Sequence, residues 1–418
     1  MTSPAASTAP PRRILLVDAD AFFVAVARMA DPEGAGRAKL LIVGGSAASR
    51  GVVCSASYEA RKFGVRSGMP ISRAVRLCPQ AMCVPVPRKC GEMSRAIGAV
   101  LARWAPVVAP ASIDEWYLDM GGTEGVYGGE PLAATAARIR DAVREQTSLS
   151  VSIGGGTNRL VAKLAVELAK PKPGTGATGV HVVEPGDEAD FMTRFALGDI
   201  PGIGPKAQER LERIGLRTVP DVLRFEQAQL ERLLGAADAR WLLDKARGID
   251  SSPVAEREEV KSMGREDTFP SDLHEERDLE RELQRLAIRV AADLRGDGLR
   301  ARTVTVTVRD ADFVTRQASR TLDAPVESDR AIARVAKELL AKLRRARRVG
   351  VRLLGVRLSQ LGVDDRAERQ LGLFAGTAAG ETPAETERDR ALSQAVDRLR
   401  ARFGDEVVIP GTLLPPKR

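Results

Sequence analysis

Apolar and polar positions along this chain follow two different periods, and the places where the period changes divide it. Ile14-Leu15-Leu16-Val17 is an unbroken apolar run that stops at Asp18, the pattern of a strand buried on both faces. Phe22 to Val26 follows, and Lys39 to Val43 predicts another strand before the Gly44-Gly45-Ser46 break. Val107 to Met120 holds a second, acidic strand region, and Val151 to Ile153 a third short strand. Ala133 to Glu145 and Arg159 to Ala169 read as helices between them. Strands that alternate with helices make this half α/β or α+β.

Near Gly198 the pattern changes to short helices separated by turn signals, among them Pro201-Gly202-Ile203-Gly204-Pro205, Gly215 and Gly248. Ser251 to Glu259 reads as a charged linker. A regular series follows: a strand near Ser262, a helix over Leu279–Leu294, strands over Arg302–Arg309 and Phe313–Leu322, a helix over Asp329–Arg345 and a strand over Val351–Leu358. That order is a βαββαβ unit. Thr303 to Val308 alternates with period two, so one face of its sheet is apolar and the other polar. From Leu361 the chain turns polar and rich in Gly, Ala and Thr, then ends in a charged helix over Thr386–Phe403 and a Pro-rich tail. No internal repeat is visible.

Composition narrows the function. At 418 residues the chain holds about two to four domains. A 44% hydrophobic fraction excludes wholesale disorder, and 4% aromatics leave few rings for stacking platforms. Lys and Arg outnumber Asp and Glu by 64 to 56, which favours nucleic acid or another acidic partner. Residues 261–360 carry 22 Lys/Arg against 16 Asp/Glu, so most of the excess sits in the βαββαβ unit. No apolar run is long enough to span a membrane, and Met1 to Arg13 reads as a loose arm, not a signal peptide. Cys54, Cys78, Cys83 and Cys90 suit neither a disulfide framework nor zinc spacing, and His181 and His274 are the only histidines. These thiols read as those of a cytoplasmic protein, and the chemistry falls to carboxylates and bases.

Two segments stand out: Leu15 to Asp20, with Asp18 at a strand end, and Ser112-Ile113-Asp114-Glu115. A carboxylate at the end of a buried strand is costly unless it meets a cation. Oxygen ligands with no His or Cys nearby point to magnesium and two-metal phosphoryl transfer. Asp114 and Glu115 are adjacent, so they share a metal only at a hairpin tip or bulge. Taken alone, Asp114-Glu115 marks a turn and Asp18 caps a helix. Taken together, the two segments favour a metal site.

Val17 to Phe23, Ser57 to Pro70 and Ser112 to Glu115 resemble the Y-family lesion-bypass DNA polymerases, in particular the bacterial DNA polymerase IV branch. Ala169-Lys170-Pro171 and Asp199 to Gly204 extend the resemblance, which runs from about Arg13 to Phe374. It implies a multidomain α/β and α+β right-hand polymerase. The palm would be ferredoxin-like (13–27 and 89–185) with small fingers (28–88) and a helical helix-hairpin-helix thumb (186–250). A linker (251–260), a βαββαβ little finger (261–360) and a tail with a clamp-binding motif (361–418) would follow, behind a flexible arm over 1–12. The implied activity is template-directed translesion DNA synthesis, of low fidelity and without proofreading, using two Mg2+ ions.

By that resemblance Asp18, Asp114 and Glu115 are the catalytic, metal-binding carboxylates, and the backbone carbonyl of Ala19 adds a metal oxygen. Asp20 is not a ligand in the family pattern. Phe22, Phe23, Ser55, Tyr58, Arg61 and Lys170 bind the nucleotide; Tyr58, Arg61 and Lys170 grip its triphosphate, where cations and a hydroxyl suit phosphate oxygens. Phe23 is the steric gate, a flat ring against a ribose 2′-OH. Outside that context, Phe22-Phe23 is core packing and Arg61-Lys62 a solvated helix face. The chain departs from the family at Ala27, Trp116, Gly154-Gly155-Gly156 and Lys172-Pro173, and none of these removes a catalytic group.

With the resemblance, Gly202, Gly204 and Lys206 read as a helix-hairpin-helix contact to DNA backbone, where N–H groups and a helix start would face phosphate. Lys342, Arg344, Arg345, Arg347 and Arg348 are either part of the little finger's DNA grip or a solvated helix end. Gln370, Leu371, Leu373 and Phe374 resemble the peptide that docks in the bacterial sliding clamp. The implied partners are primer-template DNA, dNTP and the replication sliding clamp, for a monomer that is cytoplasmic and nucleoid-associated and touches no membrane. A nucleotide cyclase shares paired carboxylates but needs neither the hairpin nor the basic module. A catalytically dead clamp-tethered scaffold has no use for costly clustered acids.

Overall fold

A computed structural model of the chain describes residues 11–45, 50–171, 176–255, 260–362, 385–404 and 407–413. Two compact units form, one from residues 1–47 and 51–258, the other from 48–50 and 259–418.

In the first unit, β1 (Ile14–Ala19) is buried along its whole length, as its apolar run requires. Ala21 takes a left-handed conformation (φ 44°) and turns the chain into α1 (Phe22–Ala30). A small lobe follows, with β2 (Leu41–Val43), β3 (Ser55–Ala56), α2 (Tyr58–Arg61), α3 (Ile71–Leu77) and β4 (Met82–Val84). Its three-stranded sheet runs β3-β2-β4 over a core of Ile42, Val53, Val65 and Ile71. The chain returns through α4 (Cys90–Leu101) to β5 (Val107–Pro110) and β6 (Glu115–Asp119). The strand region expected over Val107–Met120 is thus a hairpin. Ala111 and Ser112 donate their N–H groups to the Glu115 carbonyl at 2.8 and 3.2 Å, which closes the turn.

Then come α5 (Leu132–Thr147), β7 (Val151–Gly156), α6 (Arg159–Ala169) and β8 (Val180–Val182). The five-stranded sheet runs β5-β6-β1-β7-β8, with β1 central and antiparallel to both β6 and β7. Period two sorts the residues of β1 between the faces. Leu15 and Val17 join the core of α4 and α5, whereas Ile14 and Leu16 meet Ala162 and Val166 of α6. By the same alternation Asp18 lies on the α6 face. Gly154 explains how closely α6 lies: a Cβ there would fall on the backbone of Ala162 and Val166. The unusual Gly154 is therefore a packing requirement. Of the other departures, Trp116 is buried beside Leu118 and Ile97, and Ala27 packs on Leu41 and Val43.

Short helices α7 (Glu188–Met192), α8 (Pro205–Arg213), α9 (Val219–Leu223), α10 (Gln227–Leu234) and α11 (Ala236–Ala246) complete this unit. Phe191, Leu211, Leu230 and Leu242 share their core with Leu160 and Leu164 of α6.

The second unit contains β9 (Ser262–Leu273), α12 (Glu276–Gly296), β10 (Arg300–Asp310), β11 (Thr315–Val326), α13 (Asp329–Ala346) and β12 (Val351–Gly362). The predicted βαββαβ order holds, in an antiparallel sheet β11-β10-β12-β9. Val304, Val306 and Val308 pack against Leu283, Leu286 and Leu340, so both helices cover the apolar face. Phe313 is not the first residue of a strand. It is the left-handed residue (φ 67°) of the β10–β11 turn, whose N–H donates to the Asp310 carbonyl. Arg344 and Arg347 are both committed to carboxylates of their own unit. Arg344 is buried against Glu276 and the Val349 carbonyl, and Arg347 binds Asp310 and Asp312.

α14 (Glu387–Phe403) begins at the capping box of Thr386 and Asp389. It docks on the second unit through Arg295, which meets both Asp329 and Asp397, and through Glu385, which accepts from Ser328 and Arg390. Gln370, Leu371, Leu373 and Phe374 lie outside the described residues, as do Lys172 and Pro173. Among the described residues, no helix is long and apolar enough to cross a membrane.

Candidate active site

Asp18 ends the apolar run of the central strand, and Glu115 opens the neighbouring one. The β1–β6 register sets these two residues opposite each other, on the face that α6 covers. Asp18 is only 7% exposed. Burial pushes its carboxyl up to about 7, partly offset by Lys170 and reinforced by the facing Glu115. Glu115 goes the other way. Its burial is outweighed by the Lys163 ammonium, which holds the carboxylate below its ordinary range. Burial and the facing acid thus raise one carboxyl, while Lys163 lowers the other.

Asp114 sits in the β5–β6 turn, the one place where both adjacent acids can approach a common point. Its carbonyl accepts from the Ala19 N–H at 2.9 Å, which ties the turn to the end of β1. Its carboxylate is hydrogen-bonded to the Ser112 hydroxyl at 2.5 Å. Among the described residues, no three acidic, His or Cys side chains converge closely enough to hold a metal ion. The structure brings Asp18 and Glu115 together and leaves the third carboxylate on Ser112. The donor set still suits hard cations. It is all oxygen, and in this structure two lysine ammoniums neutralise it, Lys170 at 3.0 Å from Asp18 and Lys163 on Glu115. Asp20 points elsewhere: its carboxylate accepts from the hydroxyls of Ser150 and Ser152 at 2.9 and 2.7 Å.

Lys170 caps the C-terminal end of α6 and also binds Glu167 at 2.7 Å. Despite its burial, Asp18 and Glu167 hold its ammonium well above the ordinary lysine range. Tyr58 opens α2, and Arg61, one turn later, lies 5.2 Å from its ring. Burial raises the Tyr58 hydroxyl, with Asp20 adding to the rise and Arg61 and Lys170 opposing it. Tyr58, Arg61, Lys170 and Asp18 therefore share one electrostatic neighbourhood. Ser55 is buried in β3. Phe22 is fully buried in the sheet core, and Phe23 is partly buried against it, edge to face at 5.6 Å.

In the helical part of the unit, Gly202 (φ 98°) and Gly204 are exposed around the buried Ile203, and Gly204 caps α8. Pro205 takes the first helical position and Lys206 the second, so free N–H groups and a cation face outward together. Gly202 lies against Trp241, which a side chain there would strike.

Sequence reasoning did not find Lys163. The signal was present, because Lys163 and Lys170 are seven residues apart and fall on one side of the helix after two turns. What was missing was which side faces the sheet.

Family models match three stretches of the chain: the impB/mucB/samB family over residues 17–167, its C-terminal domain over 260–373, and a DNA polymerase-iota thumb domain over 198–250. A DNA polymerase IV from Desulfatibacillum aliphaticivorans is 37% identical over 403 residues, 96% of each chain. One from Methanoculleus marisnigri is 42% identical over 85% of this chain and 96% of its own. Among solved structures, a chimera of the Y-family DNA polymerases Dbh and Dpo4 superposes with a TM-score of 0.73 at 28% identity. That match covers 84% of this chain and all of the chimera.

Proposed function

The chain belongs to the impB/mucB/samB family of Y-family DNA polymerases, and on that premise we propose that it copies DNA by translesion synthesis, with low fidelity and without proofreading. The observation that carries the reading is the Asp18–Glu115 pair at the end of the central strand, with Lys170, Tyr58 and Arg61 gathered beside it.

Asp18, Glu115 and Asp114, with the Ala19 carbonyl, would hold two divalent cations, Mg2+ by ligand chemistry. Bound there, these ions would supply positive charge that acidifies the primer 3′-OH and offsets the charge of the departing pyrophosphate. The chain's own groups do the rest. Lys170, Arg61 and the Tyr58 hydroxyl orient the triphosphate, the first two as cations and the third as a neutral donor. Phe23 stands beneath the sugar and excludes a 2′-OH. Phe22 backs that ring, and Ser55 lines the nucleotide site. Low fidelity suits a small fingers lobe with a modest core, which can press little on the nascent base pair.

Gly202, Gly204 and Lys206 grip DNA backbone without reading sequence, and the little finger adds a second, basic grip. Gln370, Leu371, Leu373 and Phe374 dock the polymerase, a monomer in the cytoplasm at the nucleoid, to the sliding clamp, raising its effective concentration at the primer end. Against a cyclase or an inert scaffold stand the thumb match and a similarity that spans 96% of the chain. Primer extension on undamaged and lesion-bearing templates tests the proposal. Synthesis across a lesion supports it; extension confined to undamaged template would contradict it.

A further inference from the structure

The acidic pair meets two lysines of a single helix, and the reaction as described uses only one of them. Lys170 has the triphosphate to hold. Lys163, two turns earlier on the same side of α6, has its ammonium on the Glu115 carboxylate. Both partners are about three-quarters buried, with side chains 27% and 25% exposed. This contact is not an accident of a long flexible side chain. Gly154 allows the α6 backbone down onto β7, and Asn158 fixes the helix start by accepting the Val161 N–H at 3.0 Å. The helix therefore delivers Lys163 to Glu115 by backbone placement.

Resting on the polymerase reading, we propose that Lys163 is a positioning residue: a built-in counter-ion that holds the Glu115 carboxylate in the site and yields it to an arriving divalent cation. Two carboxylates set opposite each other repel, and a partly buried acid without a cation is costly. One lysine on each acid meets that cost while no metal is bound. Lysine suits a temporary partner, since its ammonium is a point charge on a flexible four-carbon stem and can swing aside. An arginine would hold the carboxylate through a planar two-pronged contact and resist displacement. The ammonium therefore sets the cation concentration at which the site fills.

The test is Mn2+ binding by the full-length protein, followed by the paramagnetic signal of the free ion, together with melting midpoints in chelator and in Mn2+. Lys163→Met should tighten Mn2+ binding about three- to tenfold, because a competing charge is gone. Its metal-free midpoint should fall by about 2–4 °C, and Mn2+ should restore it. Lys163→Arg should weaken Mn2+ binding instead. In a Glu115→Gln background, Lys163→Met should change the midpoint little, since the partner charge is absent. A Lys163→Met protein that folds only with Glu115→Gln present supports the proposal. Unchanged Mn2+ affinity in both single variants overturns it. So does a midpoint loss equal with and without Mn2+, or one that persists beside Glu115→Gln. Primer extension by the unaltered protein is read in parallel: its absence would count against the polymerase reading, whereas the Mn2+ data bear on Lys163.

Discussion

Asp18 and Glu115 are register partners across β1 and β6, yet their environments push their carboxyl groups in opposite directions. Burial raises the Asp18 carboxyl well above the ordinary carboxylate range, while Lys163 holds Glu115 below it. Sites that bind cations pay for them in stability, and this pair is where that tension sits.

Asp18→Asn should separate function from stability. In the folded chain the carboxyl titrates at about 7, against an ordinary 3.8. The folded state thus keeps a proton that the unfolded state releases, so this group's contribution is full below about pH 4 and falls as pH rises to about 7. In chelator, the melting midpoint of the parent should decline across that window, and Asp18→Asn should flatten the decline and melt higher at pH 8. The same variant should lose nucleotide addition. Parallel pH profiles for parent and variant would refute the burial argument.

Phe23→Ala should admit ribonucleotides. The ring is partly exposed beside the fully buried Phe22, so its removal opens space at the surface of the core, not inside it. Relative use of rNTP over dNTP should rise by about tenfold or more, roughly 1.4 kcal/mol of lost discrimination. An unchanged ratio with intact dNTP activity would return Phe23 to packing alone.

Arg316→Met should loosen the little finger. Asp310 is fully buried and is held by Arg316 at 3.0 Å and Arg347 at 2.9 Å, beside the turn that carries Phe313. Removing one cation from a buried group costs on the order of 2 kcal/mol. Hydrogen exchange over residues 300–326 should speed up, with the first unit unaffected. Unaltered exchange there would mean that Arg347 alone suffices.

How much of this was legible beforehand depends on what a linear pattern can carry. The central strand follows from its unbroken apolar run, the α6 helix and the βαββαβ order from the alternation of strand and helix patterns, and the structure contains each of them. The need for a turn at Asp114 followed from alternation as well. Lys163 was not legible, because helical spacing groups it with Lys170 without saying that Gly154 brings that side onto the acids. The strand expected from Phe313 begins two residues later, because nothing in the identity of Phe313 reveals its left-handed backbone. Arg344 and Arg347 counted as surface charge, since a tally of cations cannot see Glu276 or Asp310 folding back onto them. The Ser112 hydroxyl on Asp114 is likewise a local contact that spacing does not encode.

The central claim is that this chain adds nucleotides to a DNA primer through the Asp18–Glu115 site. Glu115→Gln keeps the size and hydrogen-bonding reach of the side chain and removes only its charge. Single-turnover primer extension with dNTP and Mg2+, at protein concentrations that saturate the DNA, is the direct test. The prediction is a loss of about a thousandfold or more in rate, roughly 4 kcal/mol of barrier, with DNA affinity unchanged. Extension within about tenfold of the parent would contradict the account.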